Sequence, residues 1–557
     1  MKIYVKGKGE INLSKSNFIA QGGQGSVYAK GSTAYKIYTD PSKMMPIGKI
    51  QELSVITNDN IIRPQNIIID NKQMPIGYTM RFVNQTYALC QLFTRAFRER
   101  EGLDHDNVRD LIKKLYDTVK HIHSKNILIV DLNEMNFLVS KGFDDIFAID
   151  TDSYQTPNYP ATALMESIRD RHSKTFNENT DWFSFGIIAF QMWIGIHPFK
   201  GKHPSIKGFD ARMAQNISVF NKDVSIPKVC YQFNVIPTIY QDWFKAVFDD
   251  GKRLPPPADF QSVHIITNTV RKIVGSNNFD IAEEQEYDGN ILSIFFNAGK
   301  KAVLTDNKIY VNYKSQNVSK GVQLAITSQT DTILLAKIEQ GIFKLYNAET
   351  QKEIPTQLGC SGFMTYNGRV YIKNSDRILE VDFTEIGDKI LVSSKPVANV
   401  LENASEIYDG VVVQNLLGAY YLSMFPVHGI HRQIHIKELD EYRIIDAKFD
   451  TNVLMIVGIK NGLYDRFVFR FSENWNDYDI RKIENISHTG LNFIVLDNGI
   501  CIHLTEDENI ELFSSKKDSL NIKVIDDPIL AGDMHLMKSG TRVFFSRDNK
   551  LFSMKMK

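Results

Sequence analysis

The sequence predicts a multidomain chain in which an α+β half of two lobes is followed by an all-β half. Three observations carry this. Short strands around a glycine turn open the chain, helical periodicity with a long apolar span follows, and after about residue 278 strand-like runs recur in clusters. At 557 residues the chain is too long for one core, and the boundaries fall at 1–83, 84–276 and 277–557.

Composition narrows the function classes. Hydrophobic residues make up 43% and charged residues 23%, a globular balance without bias toward disorder. Lys+Arg and Asp+Glu both number 65, so no global field points to nucleic acid or an acidic membrane. Cys90, Cys230, Cys360 and Cys501 form no C-x-x-C pair, which argues against zinc and disulfides and fits a reducing compartment. The first residues lack the apolar run of a signal peptide, and no stretch approaches the roughly 18 apolar residues of a membrane span. A cytoplasmic protein is the expectation.

The first lobe begins with strand, glycine turn and strand: Phe18 to Tyr28 around Gly22, Gly23 and Gly25, then Thr33 to Tyr38 carrying Ala34 and Lys36. Glycines let a turn lie close over phosphates and aim backbone N–H groups at them, although tight β-turns account for many such patterns. A strand lysine eleven residues after Gly25 adds the charge a phosphate site needs. Pro46 to Ile56 reads as a short helix with Pro46 at its start. It carries Glu52, which by itself reads as a solvated helix residue. Asn66 to Asp70 and Ile76 to Val83 read as strands, the second running into polar Asn84-Gln85 as a hinge between lobes would.

The second lobe opens with an amphipathic helix, Asp106 to Ser124, with Val108, Leu111, Ile112, Leu115, Tyr116, Val119 and Ile122 on one face. His121 and His123 are expected at its end or on the surface. Strand Ile127–Val130, the loop Asp131-Leu132-Asn133-Glu134-Met135-Asn136 and strand Phe137–Val139 follow. Asp150 closes a further strand, Ile146–Ile149. An Asp, an Asn five residues on and an Asp fourteen residues beyond that are the groups that orient a hydroxyl and hold metal ions in phosphoryl transfer. Thr180 to Trp193 reads as an apolar helix with a threonine N-cap, buried nearly all round. Trp243 to Phe248 and Phe260 to Val274 supply two later helices.

In the all-β half the clusters begin near Tyr287, Val322, Gly362, Glu406, Ile445, Gly490 and His535, at intervals of roughly 40 residues. Three or four short strands per cluster and seven clusters predict a seven-bladed β-propeller; two β-sandwiches of ordinary hairpins are the alternative. No repeating W-D dipeptide marks a WD-repeat array.

With these motifs in order, residues 15–275 resemble the eukaryotic-type protein kinase fold. The resemblance rests on Gly22 to Val27, Ala34-x-Lys36, Asp131-x4-Asn136, Ile149-Asp150, and Asp181 to Gly186 with His197-Pro198-Phe199. The wording D-L-N-E-x-N and I-D-x-D-S resembles a divergent bacterial and phage branch. The resemblance implies ATP and Mg2+ as cofactors. Gly22, Gly23 and Gly25 would cover the phosphates, and Lys36, held by Glu52, would neutralise them. Val27, Ala34, Met80 and Leu138 would line the adenine site, with the hinge Arg81-Phe82-Val83 reading its edge. Asp131 would orient and deprotonate an acceptor hydroxyl, Asn136 and Asp150 would hold magnesium, and Asp181 would brace the loop.

Departures from the family pattern bear on activity. Ile129-Val130-Asp131 stands where the family has His-Arg-Asp, so a phosphorylated activation loop lacks its usual partner. Asn133 replaces a lysine that supplies charge at the transferring group. Asp150-Thr151-Asp152 replaces Asp-Phe-Gly, with Asp152 read as a loop brace, a solvent-facing carboxylate or a further metal ligand. Sixteen residues separate Asp150 from Glu166, fewer than kinases use, and Glu166 is expected to pair with Arg253. Three functions follow: a Ser/Thr protein kinase whose C-terminal domain recruits a protein substrate or regulates; a nucleotide-binding pseudokinase adaptor; and a kinase-fold AMP transferase or small-molecule kinase. No membrane partner is expected and nucleic acid is not indicated.

Overall fold

The computed structural model describes residues 1–260, 275–297, 300–312, 314–387, 389–487, 489–519 and 521–557. The helix expected from Phe260 to Val274 lies, past Phe260, outside the described residues. The chain forms two compact units, one chiefly Met1–Arg98 and Leu103–Thr269, the other chiefly Val270–Ile459 and Tyr464–Lys557.

The first unit opens with seven antiparallel strands: β1 (Lys2–Val5), β2 (Gly9–Asn12), β3 (Phe18–Gln21), β4 (Gly25–Lys30), β5 (Thr33–Tyr38), β6 (Ile67–Ile69) and β7 (Pro75–Arg81). Their order in the sheet is β2-β1-β6-β7-β5-β4-β3. One face packs Ile3, Val5, Leu13, Tyr35 and Ile68 into a small core. Strand alternation puts Val27, Ala34, Lys36, Tyr78 and Met80 on a shared face, because Val27 opposes Lys36, Lys36 opposes Tyr78 and Ala34 opposes Met80. Helix α1 (Ile47–Leu53) follows Pro46, which takes the N-cap position.

A second sheet orders β10 (Ile146–Ala148), β9 (Phe137–Ser140) and β8 (Thr86–Ala88). Helix α2 spans Arg95–Glu101 and α3 spans His105–His123, where Asp104 caps the Asn107 N–H and the predicted apolar face is buried except for the half-buried Tyr116. Helix α4 (Glu178–Ile194) buries every residue from Asp181 onward. Its N-cap is Asn177 rather than Thr180. The Asn177 side chain accepts from the N–H groups of Asn179 and Thr180, and Thr180 bonds back to it, a reciprocal cap one turn earlier than the apolar run suggests. Gly195 ends the helix at φ 88, and a Cβ there would sit 2.6 Å from the Phe93 carbonyl oxygen. Helices α5 (Phe209–Ala214) and α6 (Thr238–Phe248) follow, the last among the unit's described residues.

The second unit consists, among the described residues, of seven four-stranded antiparallel sheets. In chain order they start at Ile291, Gln323, Gly362, Ser405, Arg443 and Phe493, and the last combines His535–Ser539, Arg542–Arg547 and Lys550–Met556 with Phe279–Glu286. Apolar clusters join neighbouring sheets: Tyr287 and Val303 meet Phe544, Leu304 meets Leu335, Phe343 meets Ile372, and Tyr371 shares a core with Phe425 and Phe449. The Arg443 and Phe493 sheets are joined by the Val495 N–H donating to Asp450 (2.7 Å). The Phe493 sheet in turn packs Ile502 and Leu504 against Phe279 and Met554. The predicted cluster starts match these sheets. The fourth strand of the final one, supplied by Phe279–Glu286, was not anticipated because it is separated from its partners by the whole unit. All four cysteines are buried, and among the described residues none forms a disulfide. Among the described residues, no helix is long and apolar enough to cross a membrane.

Candidate active site

The glycine turn and the lysine strand are set by close strand packing. The Gly22 N–H donates to the Gly25 carbonyl (2.9 Å), closing the turn between β3 and β4. Around Gly22 and Gly23 an added Cβ would meet nothing within 4 Å, whereas at Gly25 it would lie 2.2 Å from the Ile37 carbonyl oxygen. Gly22 and Gly23 therefore keep the tip open, and Gly25 lets β4 approach β5. Beyond β7 the Phe82 N–H donates to the Ser32 carbonyl (2.9 Å), and Val27, Met80, Phe82, Val83 and Leu138 are half-buried. Arg81 is exposed, its guanidinium 2.5 Å from the Asp59 carbonyl oxygen and over the Phe147 ring.

Lys36 is buried, and its ammonium is enclosed by two aspartates. Nζ lies 2.6 Å from Asp150 Oδ1 and 3.1 and 2.9 Å from the two oxygens of Asp152. Asp152, only 3% exposed, also accepts from the Tyr38 hydroxyl (2.5 Å). Burial would raise the Asp152 carboxyl, but the charge of Lys36 and hydrogen bonds from Lys36 and Tyr38 outweigh it and hold it below its ordinary value. Asp150 is pushed up to about 6, by burial first and by the Asp152 charge second, against the pull of Lys36. Burial and Asp152 push the Tyr38 phenol upward.

Glu52, expected to hold Lys36, bonds elsewhere. Its carboxylate accepts from the Asn158 side chain (2.6 Å) and backbone N–H (3.3 Å). The cause is helix register: α1 turns Lys49, Ile50 and Leu53 inward, leaving Glu52 on the flank. The inward Lys49, 1% exposed, donates to the Asp152 carbonyl (2.8 Å), and burial lowers its pKa.

The Asp131 loop is held chiefly through backbone groups. Asp181, fully buried on α4, accepts from the N–H groups of Ile129 and Val130, each at 2.8 Å. His123 Nε2 lies 2.9 Å from the same carboxylate, so that nitrogen carries the proton. His123 is thus at the end of α3, as expected, but buried and structural rather than on the surface. Val130 adopts φ 63, unusual for a β-branched side chain, and the Asp181 bond sustains it. The strand expected over Ile127–Val130 reduces to one bridge, Leu128 to Gln155, because Asp181 takes the next two N–H groups.

Asp131 is buried, with Oδ1 accepting from the Met165 N–H (2.7 Å) and Oδ2 3.3 Å from Asn136 Nδ2. Asn136 Nδ2 also donates to the Asp131 carbonyl (2.9 Å), which directs its amide nitrogen inward. Asn133 is buried, its Oδ1 accepting from the Met135 N–H (2.8 Å). It therefore closes the loop on itself. Asp150 sits at φ 60 with about a third of its side chain exposed.

Further along, Arg253 does not meet Glu166. It clamps the buried Asp170 with Nε and Nη2, both at 2.6 Å, while Glu166 pairs with Arg169 and Arg171 on the surface. His197 bonds the Ser167 carbonyl through Nε2 (2.9 Å) and accepts the Phe199 N–H at Nδ1 (3.1 Å); burial pushes its pKa down to about 3.

Sequence reasoning missed Lys49, Tyr38, Asp170 and the role of Asp152. The first was legible as the i, i+4 partner of Leu53 on the inner face of α1. Asp170 was not, since motif order says nothing about which of several carboxylates meets an arginine.

The family profile described as protein kinase domain matches residues 21–234. The chain is 27% identical over 203 residues to "Kinase suppressor of Ras A" of Caenorhabditis elegans, covering 31% of this chain and 26% of that protein. It is 24% identical over 164 residues to "Probable serine/threonine-protein kinase fhkC" of Dictyostelium discoideum, covering 27% of this chain and 26% of that protein. The chain thus spans about a quarter of the length of these relatives. Profile and relatives together support a protein-kinase fold for the N-terminal part, followed by an all-β part built of small sheets.

Proposed function

We propose that the protein is an ATP- and Mg2+-dependent Ser/Thr protein kinase of a divergent bacterial and phage branch. Its seven sheets form a seven-bladed propeller that recruits a protein substrate or regulates the kinase. The observation that carries this reading is the retention of Lys36, Asp131, Asn136 and Asp150 alongside a glycine turn: Lys36 bonds Asp150, Asn136 bonds Asp131, and the Ile149 N–H on the Asn136 backbone carbonyl (2.9 Å) ties the two loops together. The propeller reading is supported by neighbour-to-neighbour packing of seven four-stranded sheets and by pairing of the first strand with the last. Four buried cysteines with no disulfide among the described residues fit a cytoplasmic location.

The residues fit magnesium. Asn136 spends its amide nitrogen on Asp131, which leaves a carbonyl oxygen, and Asp150 adds a partly exposed carboxylate: hard oxygen donors on adjacent loops. Bound there, the ion would neutralise phosphate charge. Lys36 would hold the α and β phosphates, and the open tip at Gly22 and Gly23 would present backbone N–H groups to them. Val27, Ala34, Met80 and Leu138 would enclose the base, with Arg81 to Val83 at its polar edge. Asp131 Oδ2 would accept the proton of the acceptor hydroxyl, Oδ1 being held by Met165.

A second reading, the nucleotide-binding adaptor, is favoured by one observation. Asn133 turns into its own loop, so no cation from this loop reaches the transferring group. Incubating the chain with Mg2+ and ATP labelled at the γ or the α position, beside Asp131→Ala, decides. The kinase reading expects γ-label on protein, lost in the variant. An α-label indicates AMP transfer, γ-label on a small molecule indicates a small-molecule kinase, and no transfer despite ATP binding indicates the adaptor.

A further inference from the structure

We propose that Asp152, and not the helix-borne Glu52, is the residue that positions Lys36 for the nucleotide; this rests on the kinase reading above. Both Asp152 oxygens lie within hydrogen-bond distance of Nζ, at 3.1 and 2.9 Å. The carboxylate also accepts, at Oδ2, from the Tyr38 hydroxyl at 2.5 Å, and its backbone carbonyl is held by Lys49 at 2.8 Å. Asp150 makes the other contact to Lys36, but it is partly exposed and is the carboxylate assigned to a cation. It cannot serve Lys36 alone. Asp152, nearly fully enclosed, is the partner left to compensate a buried ammonium, which is costly to leave unpaired. Glu52 is spent on Asn158.

The usual polarity of the helix contact is thereby inverted. Helix α1 reaches the site with a lysine aimed at a carbonyl instead of a carboxylate aimed at a lysine. The position of Lys36 then depends on the turn Thr151–Ser153, which is tied down by the Thr151 hydroxyl on the Ile62 carbonyl (3.1 Å) and the Ser153 hydroxyl on the Asp150 carbonyl (2.9 Å). A displacement of α1 that leaves this turn in place would leave the lysine in place too.

The test uses the full chain and two double-mutant cycles, Lys36→Met with Asp152→Asn and Lys36→Met with Glu52→Gln, read by thermal unfolding and by steady-state kinetics in ATP. Asp152→Asn is expected to lower the melting temperature in the parent and clearly less in the Lys36→Met background, while Glu52→Gln shifts it equally in both. The KM for ATP should rise at least tenfold in Asp152→Asn, with kcat reduced less, and stay within twofold in Glu52→Gln. If Asp152→Asn does not fold, Tyr38→Phe, which removes the hydroxyl brace and no charge, should raise KM several-fold. The proposal is overturned if the Asp152 cycle is additive, if Glu52→Gln carries the coupling, or if Tyr38→Phe leaves KM unchanged. A parent chain that neither binds ATP nor transfers label sinks the kinase reading, and the melting cycles still decide which carboxylate partners Lys36.

Discussion

The two ends of the candidate cleft are built differently. At the lysine end side chains bond one another directly: Lys36 meets Asp150 and Asp152, and Tyr38 meets Asp152. At the Asp131 end the geometry is imposed through backbone: Asp181 holds two N–H groups of the loop, Met165 offers an N–H to the carboxylate, and Asn133 caps its own turn. The nucleotide end is thus over-determined by charge. The acceptor end has an oriented carboxylate but few electrostatic helpers. Binding and transfer should separate on mutation along this line.

The largest effect follows directly. Asp131→Ala should reduce γ-phosphoryl transfer by about 10³-fold, within the range expected for loss of a positioned general base, and leave ATP affinity within about twofold. Lys36→Met should abolish transfer as well and weaken ATP binding at least tenfold. Label transfer and titration with a fluorescent nucleotide measure the two quantities. Equal loss of ATP affinity in both variants would erase the distinction between the ends.

Next in size is the brace. Asp181→Asn keeps one acceptor but turns an NH2 group toward a backbone N–H and leaves the left-handed Val130 poorly supported. A loss of about 2–4 kcal/mol is expected from a buried donor left unsatisfied and a strained φ released, read as a lower denaturant midpoint. ATP affinity of the folded fraction should hold, because no lysine-end contact runs through Asp181.

How far the sequence reaches depends on the kind of contact. Elements with a periodic apolar face, such as α3, and the seven strand clusters could be read because burial repeats at a fixed interval. Residues bound to a motif's spacing, Lys36, Asp131, Asn136 and Asp150, were legible as candidates. What could not be read were pairings chosen by register in three dimensions. Glu52 and Lys49 are three residues apart, and only the inward face of α1 decides that the lysine meets the site. Asp170 and Glu166 are four apart, and Arg253 takes the buried one. Phe279–Glu286 joins strands some 250 residues later, a distance no local pattern bridges.

A third test uses pH on the segment that supplies Met165. His197 has its pKa lowered to about 3 from 6.5, so below pH 6.5 the unfolded chain gains a proton that the folded chain refuses. Stability from this residue is complete above about pH 6.5 and falls by ~1.4 kcal/mol per pH unit down to about 3. Near pH 5 the loss is about 2 kcal/mol. A chain carrying His197→Gln should melt less steeply with acid over that window, and parallel curves would show that the imidazole is not the sensor.

The smallest effect separates two glycines of the same turn. Gly25→Ala forces a Cβ to within 2.2 Å of the Ile37 carbonyl oxygen, so β4 and β5 must part next to Lys36. A loss of about 1–3 kcal/mol is expected, with weaker ATP binding because the strand that carries the lysine moves. Gly23→Ala meets open space at an unstrained backbone and should change stability by less than about 0.5 kcal/mol. Its effect should be confined to ATP, where a methyl group at the tip crowds the approach of the phosphates. If Gly23→Ala destabilised the fold as much as Gly25→Ala, the tip would be a structural turn and the lysine end would lose its reading as the place where the nucleotide is held.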